Sequence, residues 1–360
     1  MKHRKNGGHL TLLPTGALGG EPRISILVRA WAVARRLAGL LRTPAATSML
    51  LAAMTLASPA GQLDRSGLVL SDNLEPGGFA PEGGLYYKLN DEQRAGLVLF
   101  QNNTVRSGLG ALTLTVNPLC AAQIAGCSER AEVWERPEVM APYDKAVWYG
   151  LAVLLQEPLP RDGGRHVIAQ WKRQILPGAK GDYSPFLAIR LFRGRLGVTV
   201  ETDMVATHRI GSAARPDGCR PGEALVMNRT TARQTRALVA LEAGSTRADY
   251  PGYFNACAPG IQVTQNQPLP PATSGWIDFV IRSGPGPDGT GHIEVIANGQ
   301  HVVTVKGAID HRGSGLGSNQ YFKFGPYRAA SRDSWSVSYD DFRRGPRCAD
   351  VIREGQCPPE

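Results

Sequence analysis

Hydrophobic and polar positions alternate over short runs downstream of residue 61, and each run ends at Gly, Pro, Asn or Asp. A period of two is typical of strands with one buried face, and the 3.6-residue period of an amphipathic helix is nearly absent. Short strands with spacers of several residues favour an all-β, antiparallel two-sheet sandwich or jelly roll over βαβ units. The predicted strands are Leu85–Leu89, Gly96–Gln101, Ala111–Val116, Arg130–Arg136, Val147–Gln156, His166–Arg173, Phe186–Phe192, Leu196–Thr202, Trp276–Arg282, His292–Ala297, His301–Lys306, Tyr321–Tyr327 and Trp335–Arg343.

A segment of different composition, about residues 206–271, interrupts this rhythm. It is rich in Arg, Thr, Ala, Gly and Pro, and it predicts a loop insertion in the jelly roll. A short helix is predicted within it, over Thr231–Glu242. Such an insertion could wall a binding cleft, or it could be a structural decoration.

All six cysteines lie after residue 61, which suits a disulfide framework in an oxidising compartment. Six cysteines allow 15 pairings. The choice that is local in sequence is Cys120–Cys127, Cys219–Cys257 and Cys348–Cys357. The second of these pairs would close the insertion. A zinc site is disfavoured, because no CxxC spacing or histidine-rich partner accompanies the cysteines.

Residues 1–60 differ from the rest of the chain in charge. The formal net charge is +9, but this segment holds eight Lys/Arg and one acid, which leaves 32 bases and 30 acids elsewhere. The apolar run Ser48–Ala57 follows an arginine-bearing stretch and is too short to span a bilayer, so it predicts an export signal. We expect one domain at residues 61–360, periplasmic or secreted, with no membrane attachment after signal removal. A nearly neutral mature chain disfavours nucleic-acid binding, and an acidic ligand would need a local basic cluster.

The segment Glu129–Arg136 carries the first such cluster. On a strand, Arg130, Glu132, Trp134 and Arg136 share one face and the intervening residues share the other. Two guanidiniums with a carboxylate between them suit a planar carboxylate or sulfate ligand. The alternative interpretation is a solvated cross-strand salt bridge.

The segment His166–Arg173 alternates in the same way. The pattern predicts that His166, Gln170 and Lys172 look out from the sheet while Trp171 packs into the sandwich. Ordinary polar surface is the alternative interpretation.

The segment Tyr321–Arg328 places Tyr321, Lys323 and Tyr327 on one face and its two phenylalanines in the core. Positive charge beside a tyrosine favours the phenolate form. The alternative interpretation is an aromatic cross-strand pair.

Together the three segments resemble the jelly-roll polysaccharide lyases of the heparin lyase and glucuronan lyase group and, more distantly, the alginate lyases. In that superfamily Arg-x-Glu, Gln-x-His and Tyr-Phe-Lys-x-Gly-x-Tyr strands line the concave sheet in this chain order. Here they read Arg130–Glu132, Gln170–Lys172 and Tyr321–Tyr327, and Asp340–Gly345 is similar to the last strand of the group. The resemblance covers roughly residues 85–345 and implies a concanavalin A-like jelly roll.

The resemblance implies β-elimination on a uronic-acid-containing polysaccharide, giving unsaturated oligosaccharides. Arg130, Gln170 and Lys172 would offset the uronate charge as the enolate develops. Tyr327 would take the C5 proton and protonate the leaving oxygen. The residues expected to bind substrate are Glu132, Trp134, Arg136, His166, Tyr321, Lys323 and Arg328.

Lys172 departs from the family pattern, which has a histidine at this position. Lys172 could neutralise the carboxylate, Tyr327 could be the sole base and acid, or the site could have lost its chemistry. The last reading would leave a non-catalytic carbohydrate-binding protein of the cell envelope. A retaining glycosidase is less favoured, because Glu132 and Glu135 have opposite parity on one strand.

The expected partner is an acidic polysaccharide bound by a monomer, without a required cofactor. The resemblance leaves a structural calcium open, with Asp340 or Asp341 as ligand. A polar strand end is the alternative interpretation for these two residues.

Overall fold

The computed structural model describes residues 66–88, 94–120, 127–180, 183–203 and 207–359, so the predicted export signal lies outside the described residues. The described elements are strands joined by turns, as the alternating pattern predicts. The helical pieces are 3-10 turns at Pro81–Gly83, Pro137–Val139, Thr230–Ala232, Arg247–Asp249 and Cys348–Asp350. The strands are β1 (Leu70–Asp72), β2 (Leu85–Tyr87), β3 (Gly96–Gln101), β4 (Ala111–Val116), β5 (Ser128–Arg130), β6 (Val133–Glu135), β7 (Ala141–Pro142), β8 (Val147–Leu155), β9 (His166–Ile175), β10 (Leu187–Phe192), β11 (Arg195–Asp203), β12 (His208–Arg209), β13 (Ala224–Arg229), β14 (Gln234–Leu241), β15 (Ala256–Ala258), β16 (Ile261–Gln265), β17 (Ile277–Ser283), β18 (Gly286–Ala297), β19 (Gln300–Ile309), β20 (Leu316–Ala329) and β21 (Trp335–Gly345).

The strands form two antiparallel sheets that pack as a sandwich. Sheet A has the order β16-β19-β18-β17-β8-β21-β4-β3, with β1 on β21. Sheet B has the order β12-β15-β13-β14-β11-β10-β9-β20-β6-β2, with β5 and β7 also on β20. No helix in the described part of the chain is long and apolar enough to cross a membrane.

Aromatic side chains fill the space between the sheets. Phe322 of sheet B stacks on Trp171 of the adjacent strand, with ring centroids 4.5 Å apart, and lies 5.1 Å from Tyr149 of sheet A. Phe324 packs 4.8 Å from Tyr339 of sheet A. Each such burial contributes roughly 1.5–3 kcal/mol to folding. Because alternate residues take the core, the residues between them face outward on sheet B.

A bulge displaces both strands where β9 meets β20. Phe324 pairs with Ala169 and Tyr327 pairs with Val167, so Ile168 alone faces two residues, Gly325 and Pro326. Gly325 has a φ of +127°, and an added Cβ would lie 2.0 Å from the carbonyl oxygen of Ala131. In the pairing of β9 with β10, Ile168 is an extra residue, because Ala169 pairs with Ile189 and Val167 pairs with Arg190. This extra residue reverses the parity of β9 before it, whereas the two residues on β20 keep Tyr327 on the outer face.

Residues 207–271 contain the strands β12 to β16. The helix predicted over Thr231–Glu242 is wrong, because only Thr230–Ala232 forms a 3-10 turn and β14 follows it. β14 pairs with β11 and β13, and Ala237 and Val239 enter the common core. Pairing on both edges has overridden the helical propensity of this Ala- and Leu-containing run.

The three disulfides are those predicted from local spacing. Their Cα–Cα distances of 5.3–5.8 Å are ordinary for disulfides. The second bond joins the loop before β13 to β15, inside the predicted insertion. The pairs are Cys120–Cys127, Cys219–Cys257 and Cys348–Cys357.

Candidate functional site

Glu132 is the central carboxylate of a polar cluster on the outer face of sheet B. Only 2% of the residue is exposed. Its Oε1 accepts a hydrogen bond of 2.5 Å from Nε2 of Gln170, and its Oε2 accepts one of 3.0 Å from Nζ of Lys323. A guanidinium nitrogen of Arg130 lies 3.7 Å from the same Oε2. A buried carboxylate needs such partners, so Glu132 fixes the positions of three side chains from three strands.

Lys323 belongs to this cluster and is almost fully buried. Burial lowers its pKa to about 8, against the charge of Glu132, which raises it. The neighbouring cations Lys172 and Arg130 also lower this pKa. The cluster therefore carries more positive than negative charge, which suits an anionic ligand above it.

Tyr327 lies beside this cluster, half-buried, and pairs across the sheet with Arg130. The guanidinium carbons of Arg130 and Arg165 each lie 4.3 Å from the centre of its ring. These cation–π contacts hold the ring and place positive charge next to it. Sequence reasoning missed Arg165, because it lies in the loop before β9 and reaches Tyr327 only through the fold.

Tyr321 differs from Tyr327 although both were predicted on one face. It is 6% exposed, and burial raises its pKa, as does the nearby charge of Glu132. A tyrosine in that setting is a poor proton acceptor. Of the two, Tyr327 has the surroundings that suit acid–base chemistry.

Trp134 is surrounded by protein groups. Its ring stacks on Tyr321 at 5.5 Å, and the ammonium groups of Lys88 and Lys323 lie 3.9 and 4.1 Å from its centre. Lys172 pairs with Tyr321 on the neighbouring strand and is half-buried. Trp134 thus lies among aromatic and cationic side chains, and its assignment to substrate binding stays a prediction.

Two residues predicted to contact substrate face elsewhere. His166 is 2% exposed and packs edge-on against Trp335 of sheet A at 5.4 Å, because the bulge at Ile168 turns it inward. Burial lowers the pKa of His166. Arg328 is 1% exposed and donates from Nε to Glu129 at 2.6 Å. The predicted outer-face position of His166 is wrong, and the burial of Arg328 disfavours the contact with substrate that was predicted for it.

Arg136 lies just beyond the strand on which it was predicted. It follows β6 and precedes the 3-10 turn Pro137–Val139, and its backbone N–H donates to Gly84 at 2.7 Å. Its assignment to substrate binding stays a prediction.

The carboxylates considered for calcium have protein donors. Asp340 accepts hydrogen bonds from the backbone N–H groups of Arg106 and Ser107, at 2.8 and 3.1 Å. Asp341 accepts one from the hydroxyl of Ser107 at 2.8 Å and forms an ion pair with Arg353. The guanidinium on Asp341 disfavours a cation there, and both carboxylates lie where the pairing of β21 with β8 shifts register. The structural calcium stays a prediction.

The chain is similar to known polysaccharide lyases in sequence pattern and in fold. A family model described as polysaccharide lyase matches residues 83–343. An endo-β-1,4-glucuronan lyase from the fungus Trichoderma reesei is similar in structure over 78% of this chain and 97% of that chain, at 17% identity and a TM-score of 0.50. An alginate lyase of polysaccharide lyase family 7 covers 76% of this chain and 92% of its own, at 14% identity and a TM-score of 0.34. No curated protein matches this chain.

Proposed function

This chain belongs to the polysaccharide lyase family, and we propose that it cleaves a uronic-acid-containing polysaccharide by β-elimination. The observation that carries this proposal is one cluster on the outer face of sheet B. In it, Tyr327 contacts Arg130, and Glu132 holds Arg130 beside Gln170 and Lys323. An acid–base group thus lies next to a group of cations, which is what removal of a proton next to a carboxylate requires.

The cations address the electrostatic part of the reaction. The C5 proton of a uronate is weakly acidic, and its loss places negative charge on the carboxylate as an enolate develops. Arg130, Lys172 and the amide of Gln170 would stabilise that charge. Glu132 would fix the amide through its 2.5 Å hydrogen bond, so that little reorganisation is needed during the reaction.

Tyr327 would carry both proton transfers. In syn elimination the proton at C5 and the leaving oxygen at C4 lie on one face of the sugar, within reach of a single phenolic oxygen. Lys172 stands where related lyases have a histidine, and His166 is turned into the core. We therefore assign no second base, and Tyr327 would return the proton that it takes.

The test is release of the unsaturated product, followed by ultraviolet absorbance of the new C4–C5 double bond. Glucuronan, alginate and heparin or heparan sulfate are compared as substrates. Tyr327→Phe should lower kcat about 10²–10⁴-fold on the active polymer, the range for loss of a general acid or base. Tyr183→Phe, a tyrosine on the loop before β10, is the matched control and should keep full activity. Equal activity in Tyr327→Phe would refute the assignment.

A non-catalytic carbohydrate-binding protein is the second candidate, favoured by Lys172 in place of the family histidine. It would bind uronate polymers in both the wild type and Tyr327→Phe, and no unsaturated product would appear. A retaining glycosidase has no support on this face. Such enzymes need two carboxyl groups roughly 5 Å apart, but Glu135 lies on the core side, bound to Arg344 at 2.8 Å.

We extend the proposal to the compartment. Three disulfides suit an oxidising environment, so the enzyme would act as a periplasmic or secreted monomer without an organic cofactor. Fractionation of the native host and size-exclusion chromatography of the purified protein test these points. Protein found only in the reducing cytoplasm, or a stable dimer, would contradict them.

A further inference from the structure

A second group of arginines lines a pocket beside the candidate active site. The pocket has a volume of about 210 Å³. Strands β10 and β14, the loop before β9 and the turn after β10 contribute cations to it. The residues that carry the argument are Arg165, Arg190, Arg193, Arg236 and Tyr253.

Glu201 forms the buried base of this arginine group. Its carboxylate lies 3.4 Å from Arg190 and 2.7 Å from Arg229, and it accepts a hydrogen bond of 2.5 Å from Nε of Arg236. Burial alone would raise the pKa of Glu201, but the three guanidiniums hold it below its usual value. One carboxylate thus balances three cations, and two positive charges remain uncompensated by it.

The rim of the pocket adds to this excess. Arg165 and Arg193 are both exposed, and Asp162 is the acidic residue of the lining. Burial and, next, the charge of Arg236 together lower the pKa of Arg190 to about 10. Arg236 also donates to the hydroxyl of Tyr253 at 3.4 Å. A bound anion would offset this crowding of like charge in a partly enclosed space.

The pocket is continuous with the candidate active site. Arg165 both lines the pocket and contacts the ring of Tyr327. Val167 pairs with Tyr327 on one side and with Arg190 on the other, so two strand spacings, about 10 Å, separate their backbones. That separation suits a neighbouring sugar of a polymer better than the reacting sugar itself.

We propose that this pocket binds the carboxylate or sulfate of a sugar next to the one that is cleaved. The inference rests on the proposed function for the identity of the polymer. It gives strands β13 and β14 and the segment around Tyr253 a role in substrate recognition, because Met227, Arg236 and Tyr253 all come from residues 207–271. The pocket would make affinity depend on oligosaccharide length and on acidic groups beyond the reacting uronate.

The test measures binding by isothermal titration in a Tyr327→Phe background, so that cleavage does not consume the probe. The probes are a glucuronan disaccharide, a glucuronan hexasaccharide and a heparin hexasaccharide. Arg193→Ala removes an exposed cation with little risk to folding, and Arg236→Gln removes a pocket cation while Glu201 keeps Arg190 and Arg229. Arg209→Ala, an exposed arginine of β12 outside the pocket, is the matched control.

We expect both pocket variants to bind at least one hexasaccharide about tenfold more weakly, the effect of losing one charge-assisted contact. The disaccharide and the Arg209→Ala control should show no change. The hexasaccharide that loses more affinity identifies the anion as carboxylate or sulfate.

Three results would contradict the proposed role of the pocket. They are unchanged hexasaccharide affinity in both variants, equally weakened binding of the disaccharide, and no binding of any probe. Arginine-dependent binding without lyase activity in the wild type would support the pocket and reject the proposed function. Lyase activity together with hexasaccharide affinity that is unchanged in both arginine variants would support the proposed function and reject the pocket.

Discussion

At the scale of single residues, Glu132 links the parts of the candidate site that the chain keeps far apart. Its two oxygens hold Gln170 and Lys323, and Arg130 lies within 4 Å. Removing one member of a buried ion pair is destabilising because it leaves the other charge without a partner. Glu132 therefore both stabilises the fold and positions the neighbouring side chains, and an experiment can separate these two roles.

Glu132→Gln should lower the free energy of unfolding by about 3 kcal/mol, the range for a broken buried pair. The double variant Glu132→Gln/Lys323→Met should regain most of that stability, because no buried ammonium is left unpaired. Lyase activity should stay low in both variants, since Arg130 loses its anionic partner. Urea unfolding and kcat measure the two effects. Activity that returns together with stability would show that Glu132 is only structural.

The lowered pKa of Lys323 makes a prediction about pH. From about pH 8 up to its ordinary value of 10.5, Lys323 is neutral in the folded protein but still protonated in the unfolded chain. The unfolded chain then binds more protons, so stability from this group rises with pH across that window. The full effect is about 3 kcal/mol. Below pH 8 the group contributes a constant penalty.

The measurement is the difference in unfolding free energy between the wild type and Lys323→Met from pH 7 to 10, which cancels the other titrating groups. Above pH 8 we expect the free energy of unfolding of the wild type to rise relative to that of Lys323→Met. A flat difference would mean that Lys323 keeps its proton in the fold.

At the scale of elements, the bulge between β9 and β20 decides which side chains reach the site. Alternation along the sequence correctly predicts the outer positions of Gln170 and Tyr321, because β9 and β20 pair regularly there. Glu132, between β5 and β6, also takes its predicted side. Alternation fails for His166, since Ile168 is an extra residue of β9 in its pairing with β10 and reverses the parity before it. The signal was Gly-Pro in the partner strand, which a reading of β9 alone does not include.

Gly325→Ala tests whether this bulge positions Tyr327. A Cβ at φ +127° would meet the carbonyl of Ala131 at 2.0 Å, so the strand must shift. Strain of this kind is worth about 1–3 kcal/mol, and a displaced Tyr327 should lower kcat by tenfold or more. Gly289→Ala is the matched control, with φ +104° and open space around its Cβ. Equal effects of the two variants would assign the loss to backbone conformation alone.

At the scale of the whole molecule, the two-sheet sandwich was predictable from the sequence, but which strands lie next to each other was not. Strand positions follow from local alternation, whereas the arginine pocket depends on strands β10, β11 and β14 meeting in sheet B. The segment predicted as a loop insertion instead supplies paired strands, because its Ala, Val and Leu residues enter the common core. Arg165 and Arg236 reach their sites only through these long-range pairings.

The Cys219–Cys257 disulfide should hold this added part of sheet B. It joins residues 38 apart, and closing a loop of that size restricts the unfolded chain by roughly 3–5 kcal/mol. Cys219→Ala/Cys257→Ala should raise amide hydrogen exchange in β12, β13 and β15 and weaken hexasaccharide binding, while disaccharide binding persists. Cys348→Ala/Cys357→Ala, which removes a disulfide joining residues nine apart, is the control and should leave hexasaccharide binding intact. If both double variants lost binding equally, global destabilisation would explain the loss, and the disulfide would have no specific link to the pocket.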